Sequence, residues 1–252
     1  LLEESVCKKA RRVITNTHEL QLQLQKDYPG ISGKALTITN GFDPDSFSPH
    51  QESAPTRRAK ETKLELCHFG TVYGKRTPAV LLQSLLELHQ TGRLTGKQLC
   101  LRFVGAWEVT EPKCEELARI LEKVGLLKRE PPVSYEACLQ QMTEADALLV
   151  IQPDSPLQIP GKIYEYIATR RPLLLIGGEG ATASLVQRHH LGLACSNNGG
   201  QIRQLLLEVI EGRQKLPAPA QQEIDRFSYR SLTADLACVL DEVHQEFQSE
   251  VS

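Results

Sequence analysis

The chain has 252 residues, 40% of them apolar and 24% charged, with a net charge of −2, a balance that suits a globular protein of one large or two small domains whose core needs no disulfide or metal. That charge gives no electrostatic case for nucleic acid as a partner, no apolar run approaches the length of a bilayer span, and LLEESVCKKARR lacks the apolar stretch and cleavage site of a signal peptide. The seven cysteines, at 7, 67, 100, 114, 138, 195 and 238, include no C-x-x-C pair, which speaks against zinc and for reduced, mostly buried thiols in a cytoplasmic protein.

In chain order, residues 1–49 read as a helix, a strand at Val13 to Thr15, a second helix, a strand near Leu36 to Ile38 and an Asn40-Gly41 turn, too small a set to form a sheet of its own. Because the sequence opens on Leu1 inside a helical pattern, a piece of a longer chain is expected. Residues 50–62, largely HQESAPTRRAKE, are polar and charged and read as a linker or surface loop. From Lys63 apolar strands alternate with helix-period segments, the pattern of a doubly wound parallel sheet covered on both faces. The expected strands are 64–69, 99–104, a short one at Val133, 147–151, 173–176 and 193–195; the expected helices are 78–89, 112–124, 135–142, 181–188 and 201–210. Two of these helices open on proline, and Ser134 suits a cap for a third. This α/β, Rossmann-like unit is expected to fill 63–222, with 223–252 a final amphipathic helix carrying Leu232, Leu236, Val239 and Leu240 on one face and docking outside the sheet.

Doubly wound sheets bind ligands beyond the carboxyl ends of their strands, so two loops stand out. In HFGTVYGKRTP, Gly70 and Gly74 free the backbone around Thr71, and Lys75 and Arg76 bring positive charge just ahead of a helix. A guanidinium matches a phosphate bidentately, which favours Arg76 over Lys75; the alternative is a solvated pair on a surface loop. In PDSPLQIPGKIYEYI a helix opens on Pro160-Gly161-Lys162. Its first turn offers the amides of Gly161 and Ile163 and the charge of Lys162 to an anion, while Glu165, one turn further, can accept both hydroxyls of a ribose diol or simply favour the helix dipole. At least one of Tyr164 and Tyr166 is expected to pack rather than recognise. Around residues 129–138 a base can be held by backbone groups and by the rim of Tyr135. A nucleotide diphosphate is the ligand these features point to. Asp43-Pro44-Asp45 resembles a metal-binding D-x-D pair, but a turn or cap is favoured, and His189-His190 and Gly177-Gly178-Glu179-Gly180 need no catalytic reading. No G-x-G-x-x-G, P-loop or Ser-His-Asp order is present.

TNGFDPDSFSP (39–49), HFGTVYGKR (68–76), LRFVG (101–105), the MTEADALLVIQ run and PGKIYEYIATRRPLLLI (160–176) stand in an order and spacing that resembles the family-4 (group 1) GT-B-fold glycosyltransferases over nearly the whole chain. In that family two Rossmann-like domains face each other across a cleft, one for the nucleotide-sugar donor and one for the acceptor. This chain looks like the C-terminal, nucleotide-sugar-binding domain. The resemblance implies that residues 1–49 are the end of the acceptor domain and the interdomain crossing, and that the helix from Tyr229 crosses back. It implies Arg76 on the diphosphate, Gly161 and Lys162 near the phosphates and Glu165 on the ribose. Two positions depart from the pattern: the first of the family's paired glutamates falls on Leu157, and its usual Arg after the loop glycine is Thr71. The implied chemistry is sugar transfer from a nucleotide-diphosphate sugar with retention at the anomeric carbon, with no metal and no cofactor, to a glycan, a lipid-linked glycan or another acceptor. Acceptor binding, and any peripheral membrane association, fall to the missing domain, so the isolated chain is expected to bind donor with little turnover. The competing readings are a non-catalytic nucleotide- or partner-binding module and a nucleotide-sugar epimerase of the same fold.

Overall fold

The structure, a computed structural model, describes residues 2–47, 63–74 and 77–251. The expected linker over 50–62 and the Lys75-Arg76 pair lie outside the described residues.

Six parallel strands form the central sheet: β3 (Leu64–Phe69), β5 (Leu99–Val104), β7 (Leu127–Glu130), β8 (Ala147–Gln152), β9 (Leu173–Gly177) and β10 (Gly192–Cys195), in the order β10-β9-β8-β3-β5-β7. The chain moves outward from β3 through β5 to β7, then returns to β8 and moves outward the other way, so the strand order switches between β3 and β8. Right-handed crossovers on a sheet that reverses in this way put helices on both faces. On one face α3 (Ala79–Gln90), α4 (Pro112–Lys123) and α8 (Gly199–Ile210) bury Leu82, Leu85, Leu121 and Ile202. On the other, α5 (Tyr135–Glu144), α6 (Lys162–Ala168) and α7 (Ala181–Arg188) bury Met142, Ile163, Tyr164 and Val186. All six residues of β8 are buried, as expected of a parallel strand covered on both sides.

Two helix starts in the sheet unit follow side-chain caps. Ser134 accepts from the Ala137 amide at 3.3 Å to open α5, and Asn198 accepts from Gly200 and Gln201, so α8 begins at Gly199, two residues before its apolar period does. The short strand expected at Val133 is instead β7 at Leu127–Glu130. Pro131 and Pro132 lack the N–H groups a ladder needs, and β7 is an edge strand whose LKRE sequence hides its pairing with β5 behind charged side chains.

The N-terminal stretch does form a sheet of its own, contrary to expectation. After α1 (Leu2–Lys9), β1 (Val13–Thr15) and β2 (Ala35–Thr37) pair in parallel through α2 (His18–Asp27), with Val13 opposite Ala35. Two strands suffice because polar groups tie the unit: the Thr15 and Thr37 hydroxyls lie 3.1 Å apart, and Lys34 Nζ donates to the carbonyls of Lys8 and Ala10. The chain then passes Gly41, where a Cβ would come within 2.4 Å of the Phe227 carbonyl, and Phe42 exchanges backbone hydrogen bonds with Phe227 and Tyr229 at 3.0 and 2.8 Å. A short helix, α9 (Gln221–Asp225), precedes the last one, α10 (Tyr229–Val251). Leu236, Leu240 and Phe247 of α10 are exposed, and Arg11 and Arg12 pair with Glu250 and Glu246 to hold it beside the N-terminal unit.

Candidate functional site

The two loops singled out in the sequence meet at the carboxyl end of the sheet. After β3 the chain turns at Gly70, whose φ of +130° is closed to most side chains. The Gly70 amide donates to Val104 at 2.9 Å, and Gly105 presses so closely that a Cβ there would lie 2.3 Å from the Gly70 carbonyl. Beyond this contact the two loops run on as a short parallel pair, β4 (Val72–Tyr73) against β6 (Trp107–Glu108). The loop after β3 is therefore held as a ladder up to Tyr73, with Thr71 exposed on its rim.

Tyr166 joins this rim to α6. Its buried hydroxyl accepts from the Phe69 amide at 2.7 Å and donates to the Phe69 carbonyl at 3.2 Å, and burial pushes the phenol far above its ordinary range. Tyr164 is fully buried as well and packs on Phe227 with ring centroids 5.7 Å apart, so both tyrosines pack. The Tyr166 hydroxyl thus fastens α6, which the Pro160-Gly161-Lys162 turn opens, to the end of β3.

At the turn itself the Ile163 amide donates to the Pro160 carbonyl at 3.0 Å and the Tyr164 amide to Gly161 at 3.2 Å. The expectation that Ile163 offers its amide is thus corrected: the turn consumes it. Gly161 has an ordinary φ of −54°, and a Cβ there would touch nothing within 4 Å. Neither backbone strain nor packing asks for glycine at this position.

Lys162 and Glu165 come together, but with each other: Nζ lies 2.7 Å from Oε2, the side chains 34% and 24% exposed. The Lys162 ammonium also sits 5.9 Å from the ring centroid of Tyr135, the exposed first residue of α5. Burial first, then the nearby Glu165 carboxylate, raises the Tyr135 pKa, against the opposing effect of Lys162; Ser46 and Asp43 face the same phenol. Gly70, Thr71, Tyr135, Pro160, Gly161, Lys162 and Glu165 therefore share one end of the fold, while Arg76 falls outside the described residues.

Two residues join the site that the sequence reading passed over. Thr17 caps α2 by accepting from Leu20 and donates to the Leu157 carbonyl at 2.8 Å, fixing the loop before Gly161 across 140 positions. Gln152 ends β8 at 5% exposure, with neither amide atom hydrogen-bonded among the described residues; its only signal was a polar residue closing an apolar strand. A cleft of about 180 Å³ between the N-terminal unit and α7 is lined by Thr17, Thr39, Ile159, Arg188 and Phe227 among others.

The lesser candidates resolve structurally. Asp43 accepts from the Asp45 amide and the Ser46 hydroxyl, and Asp45 pairs with Arg230. His189 pairs with Glu223 at 2.6 Å and meets Phe227 edge-on. Gly180 packs on Pro156 too tightly for a Cβ. Among the described residues no group of three His, Cys, Asp or Glu side chains converges as for a metal ion, and no helix is long and apolar enough to cross a membrane.

No protein-family model matches the chain. Over 154 residues it is 28% identical to D-inositol 3-phosphate glycosyltransferase of Geodermatophilus obscurus, a match that covers 59% of this chain and 34% of that protein. Among solved structures, Anabaena Alr3699/HepE in complex with UDP superposes with a TM-score of 0.71 at 17% identity, covering 95% of this chain and 66% of that one. A glycosyltransferase from Rickettsia africae superposes with a TM-score of 0.66 at 14% identity, covering 95% and 65%. The chain thus spans about a third of the curated relative's length and just under two thirds of these solved chains. With its six-stranded parallel sheet and these neighbours, the chain has the fold of the GT-B glycosyltransferases.

Proposed function

We propose that this chain is the donor-binding part of a glycosyltransferase that moves a sugar from a nucleotide-diphosphate sugar with retention of anomeric configuration. The observation that carries the reading is the pair of hydrogen bonds by which Tyr166, just past the Pro160 to Glu165 turn, holds Phe69, just before Gly70. An anion approaching Gly161 meets open space and backbone, with the Lys162 charge beside it. Lys162, with Arg76, would neutralise the departing diphosphate, a preorganised electrostatic role. Glu165 would take the ribose diol and Tyr135 would border the base. Anabaena HepE, which shares the fold, was solved with UDP, so UDP is the first ligand to try.

In the same reading, residues 1–49 end an acceptor domain, 50–62 link it to the donor domain at 63–222, and 223–252 cross back; the whole works in the cytoplasm on a glycan, lipid-linked glycan or other acceptor. A non-catalytic module draws support from one feature, the apolar Leu157, whose carbonyl is already taken by Thr17.

The test is thermal stabilisation of the chain by UDP, GDP, ADP, TDP and CMP, beside Glu165→Ala. A ligand at about 100 times its dissociation constant adds roughly 2.7 kcal/mol. Stabilisation by one diphosphate, lost in the variant, is expected; no response to any of the five would count against the donor site. Sugar transfer by the isolated chain at the rate of a full-length enzyme would overturn the assignment of acceptor chemistry to another domain.

A further inference from the structure

The ion pair between Lys162 and Glu165 closes upon each other two side chains that the donor-site reading, on which this inference rests, assigns to different parts of one ligand. One Glu165 oxygen already accepts from the Lys162 ammonium at 2.7 Å, and the ammonium faces the Tyr135 ring on its other side. A carboxylate so engaged is a poorer acceptor for a diol, which asks for two oxygens at once. The ammonium, for its part, is a mobile point charge on a flexible stem that can leave one anion for another. Both side chains remain within reach of solvent.

We propose that the Lys162–Glu165 pair is an exchange device that makes recognition of the nucleoside conditional on its phosphates. A diphosphate draws Lys162 off Glu165, and the released carboxylate then takes the ribose. A nucleoside without phosphates meets a carboxylate still held by its neighbour, so the site favours diphosphate-linked ligands over nucleosides by more than the phosphate contacts alone provide. Phosphate and ribose recognition are in this way positively coupled, and the coupling runs equally in both directions.

The experiment splits the ligand into two probes, inorganic pyrophosphate and the nucleoside matching whichever of UDP, GDP, ADP or TDP binds the chain, and measures nucleoside affinity by NMR titration with and without saturating pyrophosphate. In the wild type pyrophosphate should tighten nucleoside binding about twofold or more, the weight of a helical (i, i+3) ion pair being the lower bound. In Lys162→Met the nucleoside alone should already bind with the tightened affinity, with no further response to pyrophosphate, while the diphosphate binds about tenfold more weakly for loss of a charge-assisted contact. Lys162→Arg, which keeps the charge, should keep the coupling. Independent binding of the two probes in the wild type, or coupling that survives in Lys162→Met, overturns the exchange and leaves the donor site standing. Failure of UDP, GDP, ADP and TDP alike to bind the wild type removes the donor site, and the exchange with it.

Discussion

Gly161 is the residue whose identity the fold does least to explain. Its φ is helical and the space beside it is open, so Gly161→Ala should leave the melting temperature unchanged or raise stability by up to about 1 kcal/mol, as a tolerated glycine replacement does. Because the same methyl would stand where an anion approaches the backbone, stabilisation by UDP should fall in that variant. A full response to UDP would take Gly161 out of the site. Gly105 is the opposite case, since the Gly70 carbonyl occupies the place of its Cβ. The sequence offers a reason for glycine at Gly161, the approach of an anion, and none at Gly105, where only packing shows one. The side chains at Lys162 and Glu165 were legible as polar groups one turn apart; that they hold each other was not, because an (i, i+3) spacing allows a pair without requiring one. Thr17 and Leu157 lie too far apart in the chain for their hydrogen bond to leave a trace in the sequence.

At the scale of elements, the geometry of the proposed site depends on how α6 is fastened to β3. Tyr166 supplies the fastening through both polar groups of Phe69, and the site is buried. Tyr166→Phe keeps the ring but leaves the Phe69 amide without that acceptor, which should cost about 1–3 kcal/mol and loosen the turn at Gly161. Denaturant unfolding would read the first effect and nucleotide affinity the second; a variant as stable as the wild type, with unaltered affinity, would show that the two loops are held by other means. Apolar-rich runs made β3, β5, β8 and β9 readable almost to the residue, most plainly β8 and β9, where burial on both faces leaves little room for polar side chains. The strands that escaped are short or at an edge: β4 and β6 hold two residues each, and β7 displays its charges. Pairing with a neighbour defines them, and a neighbour is what a single sequence does not display. β1 and β2 were expected as strands, at 13–15 and near 36–38; what escaped was their pairing, which threonine and lysine hydrogen bonds support.

For the molecule as a whole, acid stability should carry the mark of the β5–β7 edge. Arg102 donates to both oxygens of Glu130, at 2.9 and 2.8 Å, and Lys128 adds a third contact; the two principal side chains are each only 17% exposed. The guanidinium draws the Glu130 carboxyl down from 4.5 to about 2. A carboxyl with a lower pKa in the folded than in the unfolded chain stabilises fully above its unfolded value, and that contribution drains away as pH falls through the folded one. The window is therefore about 4.5 down to about 2, with a loss of up to roughly 3 kcal/mol. Glu130→Gln should be less stable already at neutral pH and should decline less steeply across that window in denaturant titrations. Equal slopes for the two proteins would place the acid sensitivity elsewhere.

The Phe42 contact has a consequence for how this fold can be handled. The chain enters the sheet unit at Phe42 and leaves it at Ser228, and those two residues lie side by side, joined through hydrogen bonds of 3.0 and 2.8 Å. Entry and exit share one doorway. The unit between them is thus built like a cassette whose two leads emerge together, the arrangement that lets a domain be inserted, exchanged or circularly permuted without stretching its backbone. A graft cut at this doorway would carry the Gly70 loop and the Pro160 to Glu165 turn in one piece, and would leave behind the Thr17 hydroxyl that holds the Leu157 carbonyl.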